Sequence, residues 1–397
     1  MLPVMLVVGT RPEGIKMMPV YFALKRAGIA TLICSTGQHD HLLQEVFDMF
    51  GVVPDIKLSI MQPHQTLTYV TTAVLTEIRT IYQTYKPSTV LVQGDTTTVM
   101  AAALAAYYEM IPVGHVEAGL RTGDLFHPYP EEANRAMVGV LAQYHFAPTS
   151  HAAGVLLGEG KSRESVFCVG NTVVDALYDV IKKIDQGDLV VSSMLTDLLN
   201  DACVRGMKKV LLTVHRRESF SGGVTRILSA VKAFAQKHPN VLFLYPRHPN
   251  PAITVALKEV GFDQQKNIKI FDPLVYHELL FLLKSSDCVM TDSGGIQEEA
   301  VSLGIPVLVL REKTERMEGV WEGAACLVGT HEELIQSYLT QYLFDTPTEE
   351  KRKNQVYGDG HAGQRIVEIL KSIVLKKGHS MLCDYSKTML MEKRMRV

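Results

Sequence analysis

PSTVLVQGDTTTVMAAALAAYYEMIPVGHVEAGLRT (residues 87–122) holds two apolar runs, 89–92 and 112–116, separated by a stretch of helical period. Both runs are continuously apolar rather than alternating, the pattern of parallel strands covered on both faces. Polar residues follow each at once: Gln93-Gly94-Asp95-Thr96-Thr97-Thr98 after the first, Glu117-Ala118-Gly119-Leu120-Arg121-Thr122 after the second. Strand, helix and parallel strand in one sheet require a right-handed crossover. The stretch therefore predicts a unit of an open α/β sheet, with its functional groups at the carboxyl ends of the strands.

The same rhythm extends in both directions. Apolar runs at 4–8, 30–34, 145–147 and 165–169 predict further strands of the same sheet, and 66–85 predicts an amphipathic helix. Between about 181 and 207 polar residues dominate and the rhythm stops; it resumes with runs at 209–214, 241–245, 268–271, 288–290 and 306–310 and a helix at 223–237. At 397 residues the chain exceeds one ordinary core. The expectation is two Rossmann-like doubly wound parallel-sheet α/β domains, 1–172 and 173–361, facing across a cleft. A final helix at about 362–376 is expected to pack back on the first domain, and the basic stretch 377–397 to have little order.

An apolar fraction of 47% with 21% charged residues is that of a globular protein. A net charge of −2 speaks against a nucleic-acid partner. No basic-plus-apolar leader and no run of about 18 apolar residues is present, so no membrane partner and a cytoplasmic location are expected. Six scattered cysteines without a CxxC pair read as reduced thiols.

Chemistry collects after the strands. Gly9-Thr10-Arg11-Pro12-Glu13-Gly14-Ile15-Lys16 reads as a capped helix start whose Arg11 and Lys16 could hold a pyrophosphate or merely be solvated. Asp292-Ser293-Gly294-Gly295 offers free backbone N–H groups at a helix start, suited to phosphate, or an ordinary serine cap; Glu299 lies about a turn and a half further on, in reach of a ribose. Asp95, Glu117 and Glu131 are three carboxylates at one edge, able to do acid–base work, with mutual repulsion able to raise one pKa. Ordinary caps would explain any one of them but poorly explain all three beside His115, Arg121 and Arg135. His215-Arg216-Arg217 and His248 follow strands of the second half, and Gln38-His39-Asp40-His41 follows one of the first. No HxxxH, HExxH or EF-hand spacing occurs, so no metal is expected, and the missing GxGxxG gives no reason to expect NAD.

Together these phrases resemble the non-hydrolysing UDP-N-acetylglucosamine 2-epimerase family: GTRPEGIK (9–16), GQHDHLL (37–43), GDTTT (94–98), VGHVEAGLRTGD (113–124), PEEANR (130–135), FAPT (146–149), VGNTVVDAL (169–177), HRRES (215–219), TDSGGIQEEA (291–300) and TER (314–316). The resemblance covers nearly the whole chain. It implies a GT-B-like fold, a homodimer, a UDP-sugar substrate, no cofactor, and conversion of UDP-GlcNAc to UDP-ManNAc for surface polysaccharide synthesis. It places Asp95, Glu117, Glu131 and His215 at catalytic positions. Arg11, Lys16, Arg135, His248, Ser293, Gly294, Gly295, Glu299 and Arg316 fall where substrate or UDP is held. An activating second UDP-GlcNAc site in some members maps near Gln38, His39 and Gln65, with His64 standing where such members carry Arg. Gln93 stands where members often carry His, His127 replaces a Ser, and Val301 and Met317 each replace a Pro. A hydrolysing 2-epimerase, or one acting on a C3-modified UDP-sugar, is the nearest alternative; a GT-B glycosyltransferase and a silent UDP-sugar sensor are more distant ones.

Overall fold

The computed structural model describes residues 2–38, 40–62, 65–215, 222–345 and 354–373. Two parallel sheets organise them. The first runs β1 (Val4–Val8), β2 (Thr31–Ser35), β3 (Ile56–Lys57), β4 (Thr89–Gln93), β5 (Val113–Val116), β6 (Tyr144–Ala147) and β7 (Val166–Cys168), in spatial order β3-β2-β1-β4-β5-β6-β7. The second holds β8 (Lys208–Thr213), β9 (Val241–Pro246), β10 (Ile268–Phe271), β11 (Cys288–Thr291), β12 (Val307–Val309) and β13 (Ala325–Leu327), in order β10-β9-β8-β11-β12-β13. In both, the order reverses beside the first strand, which opens a crevice at its carboxyl end.

The central strands are buried along their length; Val4–Val8 and Thr89–Gln93 have no exposed residue. That explains why their sequences are unbroken apolar runs. β3 and β13 were not legible in the sequence. Each is an edge strand of two or three residues, too short to leave a periodic pattern.

The helix after β7, Thr172–Gln186, packs on Arg11–Arg26 of the first half and on Tyr276–Lys284 and Gly294–Ser302 of the second. Residues 362–373 are helical and lie against the same seam. A Cβ on Gly363 would come within 2.9 Å of the Pro19 backbone, and the Asp175 carboxylate accepts from Ala362 N–H and Gly363 N–H at 3.1 and 2.8 Å. The basic stretch 377–397 lies outside the described residues. No described helix is long and apolar enough to cross a membrane.

Candidate active site

Glu117 is the first residue beyond β5, where the chain must turn sharply to leave the sheet. Its backbone adopts the left-handed conformation, φ 65°, which costs a non-glycine residue on the order of 1–2 kcal/mol. The conformation aims the carboxylate back along the strand ends. There Oε2 accepts from Lys16 Nζ in a short ion pair and from Gln93 Nε2 at 2.6 Å. Oε1 faces Arg316 Nη2 of the second half at 3.3 Å. Burial, with Glu298 adding to it, raises the Glu117 pKa against the pull of Lys16 and Arg316. Burial would lower that of Lys16, but Glu117 and Glu298 outweigh it and keep the ammonium charged. The result is a buried carboxylate of raised proton affinity with a cation against it.

Asp95, just past β4, is partly exposed and bound by Arg135 through Nη2 at 2.7 Å and Nε at 2.9 Å. Arg135 lies on the helix Glu131–Leu141, and so does Glu131 at its first position. Spaced by four, the two share one helix face. Glu132 helps hold the cluster together: it accepts from Arg135 Nη1 at 3.0 Å and from the backbone N–H groups of Thr122 and Gly123 at 2.9 and 3.0 Å. Behind them His115 Nε2 lies 2.7 Å from the Gly94 carbonyl, and burial lowers its pKa to about 4, so it is a neutral structural prop.

In the second half His215 follows β8. Its N–H bonds the buried Asp292 carboxylate, and its Nδ1 lies 2.8 Å from Asp292 Oδ1. A ring nitrogen facing a carboxylate carries a proton, and the Asp292 contact fixes the orientation of the ring. His248 stands beside it, ring centroids 6.1 Å apart, and the charge of Arg11 from the first half acts on His248. Arg216 and Arg217 lie outside the described residues.

The helix Gly294–Ser302 starts at Ser293, whose hydroxyl makes no capping bond. The serine side chain therefore caps none of the first-turn N–H groups. Arg316 lies across Gly294 so closely that a Cβ there would sit 2.6 Å from its Cζ. Arg316 also bonds Glu298 Oε1 at 3.0 Å and pairs closely with Glu315. Glu299 is buried on the same helix; Tyr276 donates to its Oε1 at 2.7 Å, and burial pushes its pKa up to about 7. Gln38 accepts from Thr98, just beyond β4, while Gln65 accepts from the Gln62 N–H of its own loop at 3.5 Å; His39 and His64 are outside the described residues.

Lys16 and Glu298, Arg135 and Glu315, and Arg316 and Glu117 thus join the two halves into one buried ionic cluster. The sequence assigns no role of their own to Gln93, Glu132, Tyr276, Asp292, Glu298, Arg311 and Glu315. Glu132 and Glu298 stand beside chosen residues in PEEANR and IQEEA, and only side-chain direction separates the members of each acidic pair. Among the described residues no group of His, Cys, Asp and Glu is arranged to hold a metal.

Two Rossmann-like sheets whose strand ends meet over buried carboxylates and cations define a GT-B-like α/β enzyme. The family model described as UDP-N-acetylglucosamine 2-epimerase matches residues 23–371. The UDP-N-acetylglucosamine 2-epimerase of Yersinia pestis is 44% identical over 375 residues, covering 93% of this chain and 98% of that one. The solved structure of UDP-GlcNAc 2-epimerase from Neisseria meningitidis bound to UDP-GlcNAc superposes with a TM-score of 0.85 at 40% identity, over 93% of this chain and 100% of that one. That of Methanocaldococcus jannaschii in complex with UDP-GlcNAc and UDP gives 0.79 at 34% identity, over 93% and 99%. The chain belongs to the UDP-N-acetylglucosamine 2-epimerase family, and it is an epimerase.

Proposed function

We propose that the protein is a non-hydrolysing UDP-N-acetylglucosamine 2-epimerase, interconverting UDP-GlcNAc and UDP-ManNAc in the cytoplasm for surface polysaccharide synthesis. The observation that carries the reading is the Glu117 carboxylate, buried, raised in proton affinity and set between Lys16 and Arg316 at the meeting of the two sheets. The Neisseria relative's complex with UDP-GlcNAc supports the choice of sugar nucleotide.

The C2 hydrogen of an acetamido sugar has no adjacent carbonyl, so simple deprotonation is unfavourable. Loss of UDP from C1 while a base takes the C2 proton gives 2-acetamidoglucal and bound UDP. Readdition with protonation from the other face gives the epimer. Asp95, Glu117 and Glu131 are the candidates for proton transfer and for supporting positive charge at C1. Arg11, Lys16, Arg316 and the Ser293–Gly295 helix start stabilise departing UDP, with Arg135 holding Asp95 in place. His215, oriented by Asp292, offers Nε2 on the phosphate side; His248 lies beside it, and Glu299 holds the ribose. No hydride moves, so the route needs no NAD. Closure of the two halves keeps water from the reacting carbon.

A homodimer fits this reading: Tyr107, Tyr108 and Met110 at the end of one helix, with Met137 and Val140 on the helix packed against it, are exposed apolar groups that a second copy would cover. Sigmoidal dependence of rate on UDP-GlcNAc would speak for a second nucleotide site near Gln38 and Gln65, and hyperbolic dependence against it.

The test is proton NMR of UDP-GlcNAc with the purified protein in D₂O, without added metal or NAD. UDP-ManNAc carrying deuterium at C2 is the expected product. Free UDP with ManNAc would show the hydrolysing enzyme instead, and no change with UDP-GlcNAc but exchange with a C3-modified UDP-sugar would move the substrate.

A further inference from the structure

The two oxygens of Glu117 are not equivalent. Oε2 takes both donors of its own half, Lys16 and the carboxamide of Gln93, whereas Oε1 meets the longer contact from Arg316 across the cleft. Gln93 closes β4 and stands opposite Val116 in the parallel register, so its side chain leaves the sheet immediately beside that of Glu117. It is 3% exposed, and a carboxamide donates at every pH at which the enzyme works.

We infer that Gln93 is a positioning residue: with Lys16 it anchors Oε2 of Glu117, so that Oε1 is the oxygen that accepts and returns the substrate's proton. The inference rests on the epimerase reading for its kinetic consequence but on geometry alone for the anchoring. A freely rotating carboxylate would offer either oxygen and lose the alignment on which proton transfer depends. When the pyrophosphate draws Arg316, Oε1 is released towards the sugar while Oε2 stays bound. Outer groups that orient a reacting one are typically worth about 10–100-fold, as at metal sites.

The test compares wild type with Gln93→Met, which is nearly isosteric but has no donor, and Gln93→His, which restores an N–H. The expected result for Gln93→Met is a kcat about 10–100-fold lower with KM within about twofold, and an acidic limb of the kcat–pH profile moved to higher pH. Gln93→His should recover most of kcat. Independently of any substrate, ¹³C NMR of labelled glutamate carboxyls, with Glu117 assigned by Glu117→Gln, should show Glu117 titrating at higher pH in Gln93→Met. An unmoved titration, or a wild-type kcat in a folded Gln93→Met, overturns the positioning role. If the titration moves but the wild type exchanges no C2 hydrogen of UDP-GlcNAc, anchoring stands and the epimerase reading falls.

Discussion

Arg316 reaches Glu117 across the cleft at 3.3 Å, while on its own side it bonds Glu298 at 3.0 Å. The other ion pairs that cross the cluster are similarly long: Lys16 to Glu298 at 3.5 Å and Arg135 to Glu315 at 3.4 Å. Pairs within one half are tighter, with Arg135 to Asp95 at 2.7 Å and Arg311 to Glu315 at 3.0 Å. Each half therefore satisfies its own charges first, and the contacts between halves are the ones that opening, or an entering pyrophosphate, would break at least cost.

Removing the charge at that junction leaves buried carboxylates behind. Arg316→Gln deprives Glu298, Glu315 and Glu117 of a shared cation, and breaking a buried pair from one side costs about 3 kcal/mol. Denaturant unfolding should show a loss of that order, together with weaker binding of UDP in calorimetry. A variant as stable as wild type would mean the cluster reorganises around Lys16 and Arg311.

The three candidate acids should fail in chemistry rather than in binding. Asp95→Asn, Glu117→Gln and Glu131→Gln are each expected to lose about 10²–10⁴-fold in kcat while still binding UDP. Near-normal turnover in all three would remove the elimination mechanism.

Gly294→Ala tests the anion site by volume alone. The new methyl would lie 2.6 Å from Arg316 Cζ and 2.8 Å from its Nε, so the guanidinium must move off the helix start. Because Gly294 does not occupy the left-handed region, the backbone itself accepts alanine. A fall of about tenfold in affinity for UDP, some 1.4 kcal/mol, is expected, and unchanged affinity would separate Arg316 from the nucleotide.

Closure has a built-in reporter. Trp321, the single tryptophan of the chain, stands edge-on to His151 with ring centroids 4.8 Å apart. His151 belongs to the helix Ser150–Gly158 of the first half and Trp321 to Met317–Trp321 of the second. Nearby, Thr149 bonds Glu318 at 2.5 Å. Titration with UDP should change the tryptophan emission, and His151→Ala should abolish most of that change. An unaltered spectrum at saturating UDP would mean the halves do not move against each other at this corner.

Buried titrating groups oppose one another in stability. His115 and His145 are lowered to about 4 by burial, so the unfolded chain binds more protons and stability is lost as pH falls from 6.5 through 4. Glu13 and Glu299 are raised to about 7, again by burial first, so the folded chain binds more protons and stability is lost as pH rises from 4.5 through 7. Glu13 accepts from Gly9 N–H at 2.7 Å and from the Thr10 hydroxyl at 2.8 Å. Glu13→Gln removes one term of the second kind. The slope of unfolding free energy against pH between 4.5 and 7 should then become more positive by up to about 1.4 kcal/mol per pH unit. A parallel pair of curves would show that Glu13 does not exchange a proton on folding.

The two sheets were legible in the sequence because central parallel strands buried on both faces must be continuously apolar, as 4–8, 89–92 and 241–245 are. So was the row of polar residues at the strand ends, since polar residues directly after such runs can only stand there. What local pattern could not decide was direction and partnership. Glu131 and Glu132 are adjacent in one helix turn, and it takes the fold to bring Glu132 against Arg135 and the Thr122–Gly123 backbone. Gln93 reads as the last residue of a strand until β5 lies beside β4 and brings Glu117 within 2.6 Å. Lys16 and Glu298, 282 positions apart by their numbers, meet only when both sheets are complete and face each other. Periodicity records which residues leave water; which charges then have to neutralise one another is settled by packing, because a buried charge takes the partner that the tertiary fold brings within reach.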